Sequence, residues 1–366
     1  MSRFTKGEVD RLGERLRSSE VGSEDLKMLG EYRDEHLGAL ATVVTSLVDL
    51  RPQAALAARQ KNGQTIIGKL REQMHMQLSN MQDIAGARLN VRGGRRLQDE
   101  VVAEVCRRFP NHKQVKDRRE EPSNGYRAVH VVVGANSCWA EVQVRTQNQD
   151  RWAQTFERLG DQWGRQIRYG KEPDLPDTTS LVAGALVPRS EVVRYMRELS
   201  DMIDDVEVEE LRVLEITGAF RRAEPGLTGS ERQVRWDAVV SAQQELHKRQ
   251  EDIDAMFMAL AEAVPVGLAQ AVEVEHIPAP ALGSVQHFLV VYRRSSGFLE
   301  KVRSFSNEGL AQAVKLRSTL EEEHRTDPDL EVVLLASGSE SDIRSTHARY
   351  FESVGELTKK KEGGEA

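Results

Sequence analysis

The chain has 366 residues, with 51 Lys+Arg against 58 Asp+Glu and a formal net charge of −7. A hydrophobic share of 39% beside 30% charged residues describes a globular chain on the polar side, long enough for two ordinary domains. No apolar run approaches the ~18 residues that span a bilayer, and the N-terminus MSRFTKGEVDRLGERLR lacks the apolar stretch of an export signal. A cytoplasmic protein with no membrane partner is expected. Cys106 and Cys138 stand in no CxxC or Cys/His spacing, which argues against a disulfide framework or structural zinc and predicts ordinary buried thiols.

Residues 1–50 read as N-terminal helices, EVDRLGERL and LKMLGEYRDEHLGALATVVTSLVDL, broken around SSEVGSED. QAALAARQ, residues 53–60, has strong helix formers and then meets Asn62-Gly63, a helix stop. The period then changes. DIAGARLNV, YRAVHVVVG and CWAEVQVRT show short alternating β-branched runs, and RRLQDEVVAEVCRRF between the first two has helical spacing. Strand, helix, strand, strand predicts an α+β core over 51–178, a mixed or antiparallel sheet flanked by helices. The helix DRWAQTFERLGDQWGRQIRYG and the Pro/Asp-rich KEPDLPDTT close it. Residues 179–280 read as an acidic helical connector, interrupted by EPGLTGSE. Residues 281–354 read as a small ββαβα domain: the hairpin HFLVVYRR/FLEKVRSF, the helix GLAQAVKLRSTLEEEHR, the strand LEVVLLAS and the helix SDIRSTHARYF. Residues 355–366 are expected to be a flexible tail.

Charge is unevenly spread. Residues 51–170 hold 21 Lys+Arg and 12 Asp+Glu, while the remainder is acidic. The middle of the chain is where an anion is expected to bind, although a solvated basic face has the same composition. Asp83 and Glu141 each stand at a strand start. If those strands are neighbours in register, both carboxylates project at one edge of one sheet. Surrounded by Arg59, Lys61, Lys69, Arg88, Arg127 and Arg145, they suit magnesium-dependent phosphate chemistry, since the metal takes oxygen ligands and phosphates take cations. Surface ion pairs are the alternative on spacing alone. In NGYRAVH, alternation places Tyr126, Ala128 and His130 on one strand face and Arg127 on the other, so Tyr126 is either a core residue or a platform for a nucleobase. Residues 63–70, GQTIIGKL, fit G-x-x-x-x-G-K, but Leu70 replaces the Ser/Thr and a helical pattern precedes them, so they are not read as a P-loop.

In order, RQKNGQTIIGKL, DIAGAR, NGYRAVH, EVQVRT and DRWA resemble the synthetase domain of the RelA/SpoT homologue family, over roughly residues 50–170. The resemblance implies a nucleotidyltransferase-like fold that moves the β,γ-pyrophosphate of ATP to the ribose 3′-hydroxyl of GDP or GTP, forming (p)ppGpp and AMP with Mg2+. Carried onto matching positions, it implies that Arg59 and Arg88 sandwich adenine and that Lys61 and Lys69 hold phosphates. Asp83 binds magnesium, and Glu141 binds the metal, takes the hydroxyl proton, or both. Tyr126 stacks on the acceptor base, His130 lies beside the acceptor phosphates, and Arg127, Gln143, Arg145 and Asp150 belong to the same acceptor side.

Two positions depart from the family pattern. Phe156-Glu157 stand where Glu-His is usual, and Ser123 follows Pro122 where a lysine is usual; both touch the acceptor side. Donation from ATP is therefore better supported than the acceptor's identity. The alternative is a toxin-like relative acting on the 3′-CCA end of tRNA or on adenosine nucleotides, with Arg92, Arg95, Arg96, Arg118 and Arg119 as a basic path, or a non-catalytic nucleotide binder. No His-Asp dipeptide is present, so the hydrolase activity of long relatives is not expected. Self-association is compatible with the family. Residues 281–354 are open to a regulatory, partner-binding or merely stabilising role.

Overall fold

The computed structural model describes residues 3–173, 179–182, 185–263, 285–352 and 357. Helices α1 (Lys6–Leu16) and α2 (Ser23–Leu47) open the chain. A Thr5/Glu8 capping box starts the first of them, satisfying otherwise orphan N–H groups. Residues 53–60 correct the helical expectation: they form strand β1 (Ala54–Gln60), hydrogen-bonded on both sides. Alanine's helix preference is a weak local bias of under about 1 kcal/mol per residue. Two partner strands override it. Asn62 likewise does not stop a helix but caps one, its Oδ1 accepting the Thr65 N–H at 2.7 Å to start α3 (Gly63–Glu72).

Strand β2 (Ala85–Val91), helix α4 (Arg95–Arg108), and strands β3 (Gln114–Asp117), β4 (Val129–Ala135) and β5 (Cys138–Arg145) follow, with helix α5 (Gln147–Trp163) after them. The hairpin β6 (Thr179–Val182)/β7 (Ala185–Pro188) leads into the long helical pair α6 (Arg189–Ala223) and α7 (Gly229–Ala263). The expected helical connector, residues 179–280, thus opens instead with a short strand hairpin and is helical only from Arg189 to Ala263; residues 264–284 lie outside the described residues, as does most of the expected tail. Strands β8 (Gln286–Arg293) and β9 (Phe298–Phe305), helix α8 (Leu310–Glu323), strand β10 (Leu330–Ser337) and helix α9 (Glu340–Thr346), with a 3-10 turn at Ala348–Tyr350, realise the ββαβα order.

Among the described residues the main sheet runs β3-β4-β5-β2-β1-β10-β8-β9, with β2 and β5 parallel and the other neighbours antiparallel. The C-terminal strands therefore extend the central sheet instead of making one of their own: Ala57 pairs with Ser337 and Arg59 with Leu335. The fold class is α+β, a mixed sheet flanked by helices.

Strand alternation divides this sheet into two unlike faces. Ala54, Leu56, Ala58, Ala87, Leu89, Val131, Val142 and Val144 pack with α2 and α4 in one apolar core. Arg59, Arg88, Asn90, His130, Glu141, Gln143 and Arg145 alternate with them and so lie on the opposite, polar face. Towards the C-terminal strands this second face turns apolar again, where Ala57 packs with Tyr292, Leu335, Ile343 and Tyr350. Both cysteines are half-buried free thiols, less enclosed than expected.

Candidate active site

The polar face gathers its functional groups by register. β2 and β5 are parallel neighbours with Gly86 opposite Glu141 and Arg88 opposite Gln143, so Glu141 lies within β5 instead of at its start, level with the first residues of β2, and Asp83 stands just before that strand. On the other side of β2, the Lys61 N–H donates to the Ile84 carbonyl at 2.9 Å, extending the β1–β2 ladder and bringing Lys61 alongside. Lys69 reaches the same point from the last turn of α3. Asp83 is gripped by both ammonium groups, with Lys61 in a short contact and Lys69 at 3.1 Å. Burial pushes the Asp83 pKa up, but the two lysines outweigh it and hold the carboxyl well below the ordinary carboxylate range. Burial also pulls the Lys61 ammonium down. Residues 63–70 do follow a strand, against expectation, yet they are the helix itself, so Lys69 is no phosphate-loop lysine.

Glu141 lies within a second hydrogen-bonded group. Its Oε1 accepts from His130 Nδ1 at 2.8 Å and its Oε2 from Gln143 Nε2 at 2.8 Å. The other imidazole nitrogen, Nε2, meets the Tyr126 hydroxyl at 3.0 Å, and Arg145 donates to that hydroxyl and to Gln143 Oε1, each at 3.0 Å. Burial opposes an imidazolium here, yet Tyr126 and Glu141 raise the His130 pKa to about 9, so both ring nitrogens donate at neutral pH. Burial works to raise the Glu141 pKa as well, and the His130 charge outweighs it to keep the carboxylate ionised; Asp83 acts in the opposite sense, so the two carboxylates feel each other. Tyr126 enters this group from an Asn-Gly turn in which Asn124 and Gly125 both have positive φ, 53° and 89°, and Ser123 and Tyr126 exchange backbone hydrogen bonds. In place of the family's lysine, Ser123 helps close that turn.

Asp83, Glu141, Lys61, Lys69, Tyr126, His130, Gln143, Arg145 and Asp150 thus share one face, Asp150 accepting from Arg145 at 3.0 Å. Arg127 does not join them, which corrects its expected place beside the acceptor. Strand alternation points it to the other side, where it donates to Ser200 Oγ at 3.1 Å and pairs with Asp201 at 2.6 Å on α6. Arg88 and Arg59 are on the site face, but Arg88 is only 6% exposed. Its guanidinium donates to the Thr346 carbonyl and faces Glu157 at 3.5 Å. Burial, then the Arg145 charge, lowers its pKa to about 10. Glu157 also pairs with Arg349 at 3.3 Å, and Phe156 packs against Trp152 at a tilt in the core beside α6. The departure at residues 156–157 is therefore built around an arginine from the C-terminal segment. Sequence reading missed Thr346, His347 and Arg349, for which spacing carries no signal.

A family model described as a region found in RelA / SpoT proteins matches residues 58–159. Over 203 residues the chain is 32% identical to the uncharacterized protein Rv1366 of Mycobacterium tuberculosis strain H37Rv, covering 54% of this chain and 72% of that protein. The chain belongs to the RelA/SpoT homologue family. The uncharacterized protein Mb1401 of Mycobacterium bovis gives the same figures as Rv1366. Among solved structures, this RelA/SpoT homologue is similar to a GTP pyrophosphokinase family protein from Streptococcus pneumoniae, at 22% identity over 51% of this chain and 94% of that one, with a TM-score of 0.38. It is also similar to the small alarmone synthetase 1 of Bacillus subtilis bound to its product pppGpp, at 20% identity over 54% of this chain and 100% of that one, with a TM-score of 0.38. No helix among the described residues of the homologue is long and apolar enough to cross a membrane.

Proposed function

We propose that this chain transfers the β,γ-pyrophosphate of ATP to the ribose 3′-hydroxyl of GDP or GTP. The observation that carries the reading is the pairing of two unlike carboxylates on one face of the sheet: Asp83 between two lysines, and Glu141 beside a His130–Tyr126 pair. A 3′-hydroxyl is a weak nucleophile, and the ionised Glu141 accepts its proton as the 3′-oxygen bonds to the β-phosphorus. The bond from that phosphorus to the α-phosphate oxygen breaks, and AMP leaves with the electron pair. Lys61 and Lys69 exchange Asp83 for the polyphosphate and spread its charge, while Tyr126, oriented by Arg145 and His130, stacks on the acceptor base.

Among the described residues no group of three or more His, Cys, Asp or Glu side chains forms a ready cation cage. Two carboxylates fit magnesium, which binds through one or two of them and takes its remaining oxygens from phosphates and water. Asp83 and Glu141 would hold it, and when bound it neutralises charge on the transferred group. Of the arginines offered as a path for tRNA, Arg95 pairs with Asp204 and Glu207, Arg96 with Glu100, and Arg119 with Asp99 and Asp117, which favours a mononucleotide acceptor. The test supplies ATP labelled at the γ-phosphate and magnesium with GDP, GTP, no acceptor, or deacylated tRNA in parallel. Label in a guanosine tetra- or pentaphosphate is expected; label in tRNA or an adenosine product would reassign the acceptor.

A further inference from the structure

We propose that the C-terminal segment 339–351 is an autoinhibitory plug, seated on Arg88, one of the two arginines that the family resemblance places against the adenine of ATP. The inference rests on the proposed function and on the partners of Arg88. Its guanidinium is capped by the Thr346 carbonyl, from a residue 258 positions away. The neighbouring Ser345 carbonyl accepts from Gln154 at 3.0 Å and lies 3.5 Å from Asn90 Nδ2. Main-chain oxygens of one short segment thus take the donors that line the site face of β2 and α5. His347 is 2% exposed, and the charges of both Arg88 and Arg59 act on its imidazole. A row of main-chain acceptors thus stands at Arg88, where a purine nucleotide would need to stand.

The segment is fastened at points outside the site. Asp342 pairs with Arg51 at 2.5 Å, Ile343 is fully buried with Ala57, and Arg349 ties Glu157 to Asp161 and Glu331. It is also imperfectly fitted. Asn90 Oδ1 and Arg145 Nε, both buried on the face that carries Arg88, have no hydrogen-bond partner among the described residues, as a surface shaped for another occupant would leave them. Beside it, a cavity of about 1040 Å3 bordered by Asn90, Gln154, Ser341 and Ser345 gives the segment room to withdraw without breaking the β1–β10 pairing. The segment holds Arg88, Asn90, Gln154 and Glu157, and Asp83, Glu141 and Tyr126 need not change on its release.

The experiment uses the whole chain and two loosening variants, Arg51→Ala and Ile343→Ser, neither in the site. Magnesium-ATP affinity is measured by titration, and hydrogen exchange is followed over residues 339–351 and over β8–β10 as a check on folding. At least tenfold tighter ATP binding in a variant whose segment has lost protection while β10 keeps its own is expected, together with faster exchange of 339–351 when ATP is added to the unaltered chain. Equal ATP affinity in all three chains, with the segment still protected in the ATP complex, would overturn the plug and leave the donor reading intact. No ATP binding by a variant whose segment is released would overturn both, because Arg88 would then be open and still not bind the donor.

Discussion

At the scale of single residues, identical chemistry serves different ends according to strand parity. His130 and Arg127 lie on one run of chain, yet His130 faces Glu141 and Arg127 faces α6. Arg127→Ala should lower stability by about 1–3 kcal/mol, by removing the donor to Ser200 Oγ and to the Arg119 carbonyl and leaving Asp204 to Arg95 alone, and leave the KM for the acceptor unchanged. Thermal melts and acceptor titrations check this; a raised KM in a chain of unchanged stability would return Arg127 to the site. Glu141→Ala should cut turnover by the ~10²- to 10⁴-fold typical of a general base, and near-normal turnover of the folded variant would remove it from that role. His130 has a folded pKa of about 9 against an ordinary 6.5. A raised pKa means that its contribution, up to about 3 kcal/mol, is fully present below pH 6.5 and is lost as pH climbs to 9. Melting temperatures of the wild type and of His130→Asn should therefore converge across that interval; parallel curves would contradict the ion pair with Glu141.

Individual elements were legible where pattern and position agree. The strands around DIAGAR, YRAVH and EVQVRT lie where alternation placed them, because apolar residues fill one face of each and most polar ones stand on the other, even where both faces are covered. β1 was not legible: AALAARQ is buried on both faces, so alternation vanishes and alanine composition mimics a helix. β3, QVKD, is short, largely exposed and polar, and is a strand only because β4 offers it an edge. Asn124-Gly125 was readable as a turn, and its second residue has a further constraint. A Cβ on Gly125 would lie 2.7 Å from Trp152 Cζ2, at a φ of 89° that L residues avoid. Gly125→Ala should thus displace the Tyr126 turn from α5 and cost about 1–3 kcal/mol; a crystal structure with the turn unmoved and an unchanged melt would refute this.

Across the whole molecule, the candidate site was readable as a set of residue types in order, and the cover over it was not. Asp83, Lys61 and Lys69 come from within one short stretch, whereas Arg88 and Thr346 meet over 258 positions. Nothing in local spacing foretells that β10 pairs with β1 and carries α9 onto the arginine face. The same pairing makes the C-terminal strands structural. Arg317 on α8 pairs with Asp34, and Arg33 on α2 with Glu321, so removing residues 285–366 strips both α2 and the β1 edge. Such a truncation should be insoluble or melt more than about 10 °C lower; a soluble product with an unchanged melt would make the region dispensable.

Pyrophosphoryl transfer held back by the C-terminal segment is tested most directly by following label from γ-labelled ATP in the presence of GTP and magnesium, using the unaltered chain, Ile343→Ser, and Ile343→Ser combined with Glu141→Gln. The predicted result is a labelled guanosine pentaphosphate with matching AMP, made faster by the loosened chain and lost when Glu141 is replaced. Labelled ATP recovered intact from a loosened chain that binds both nucleotides would contradict it.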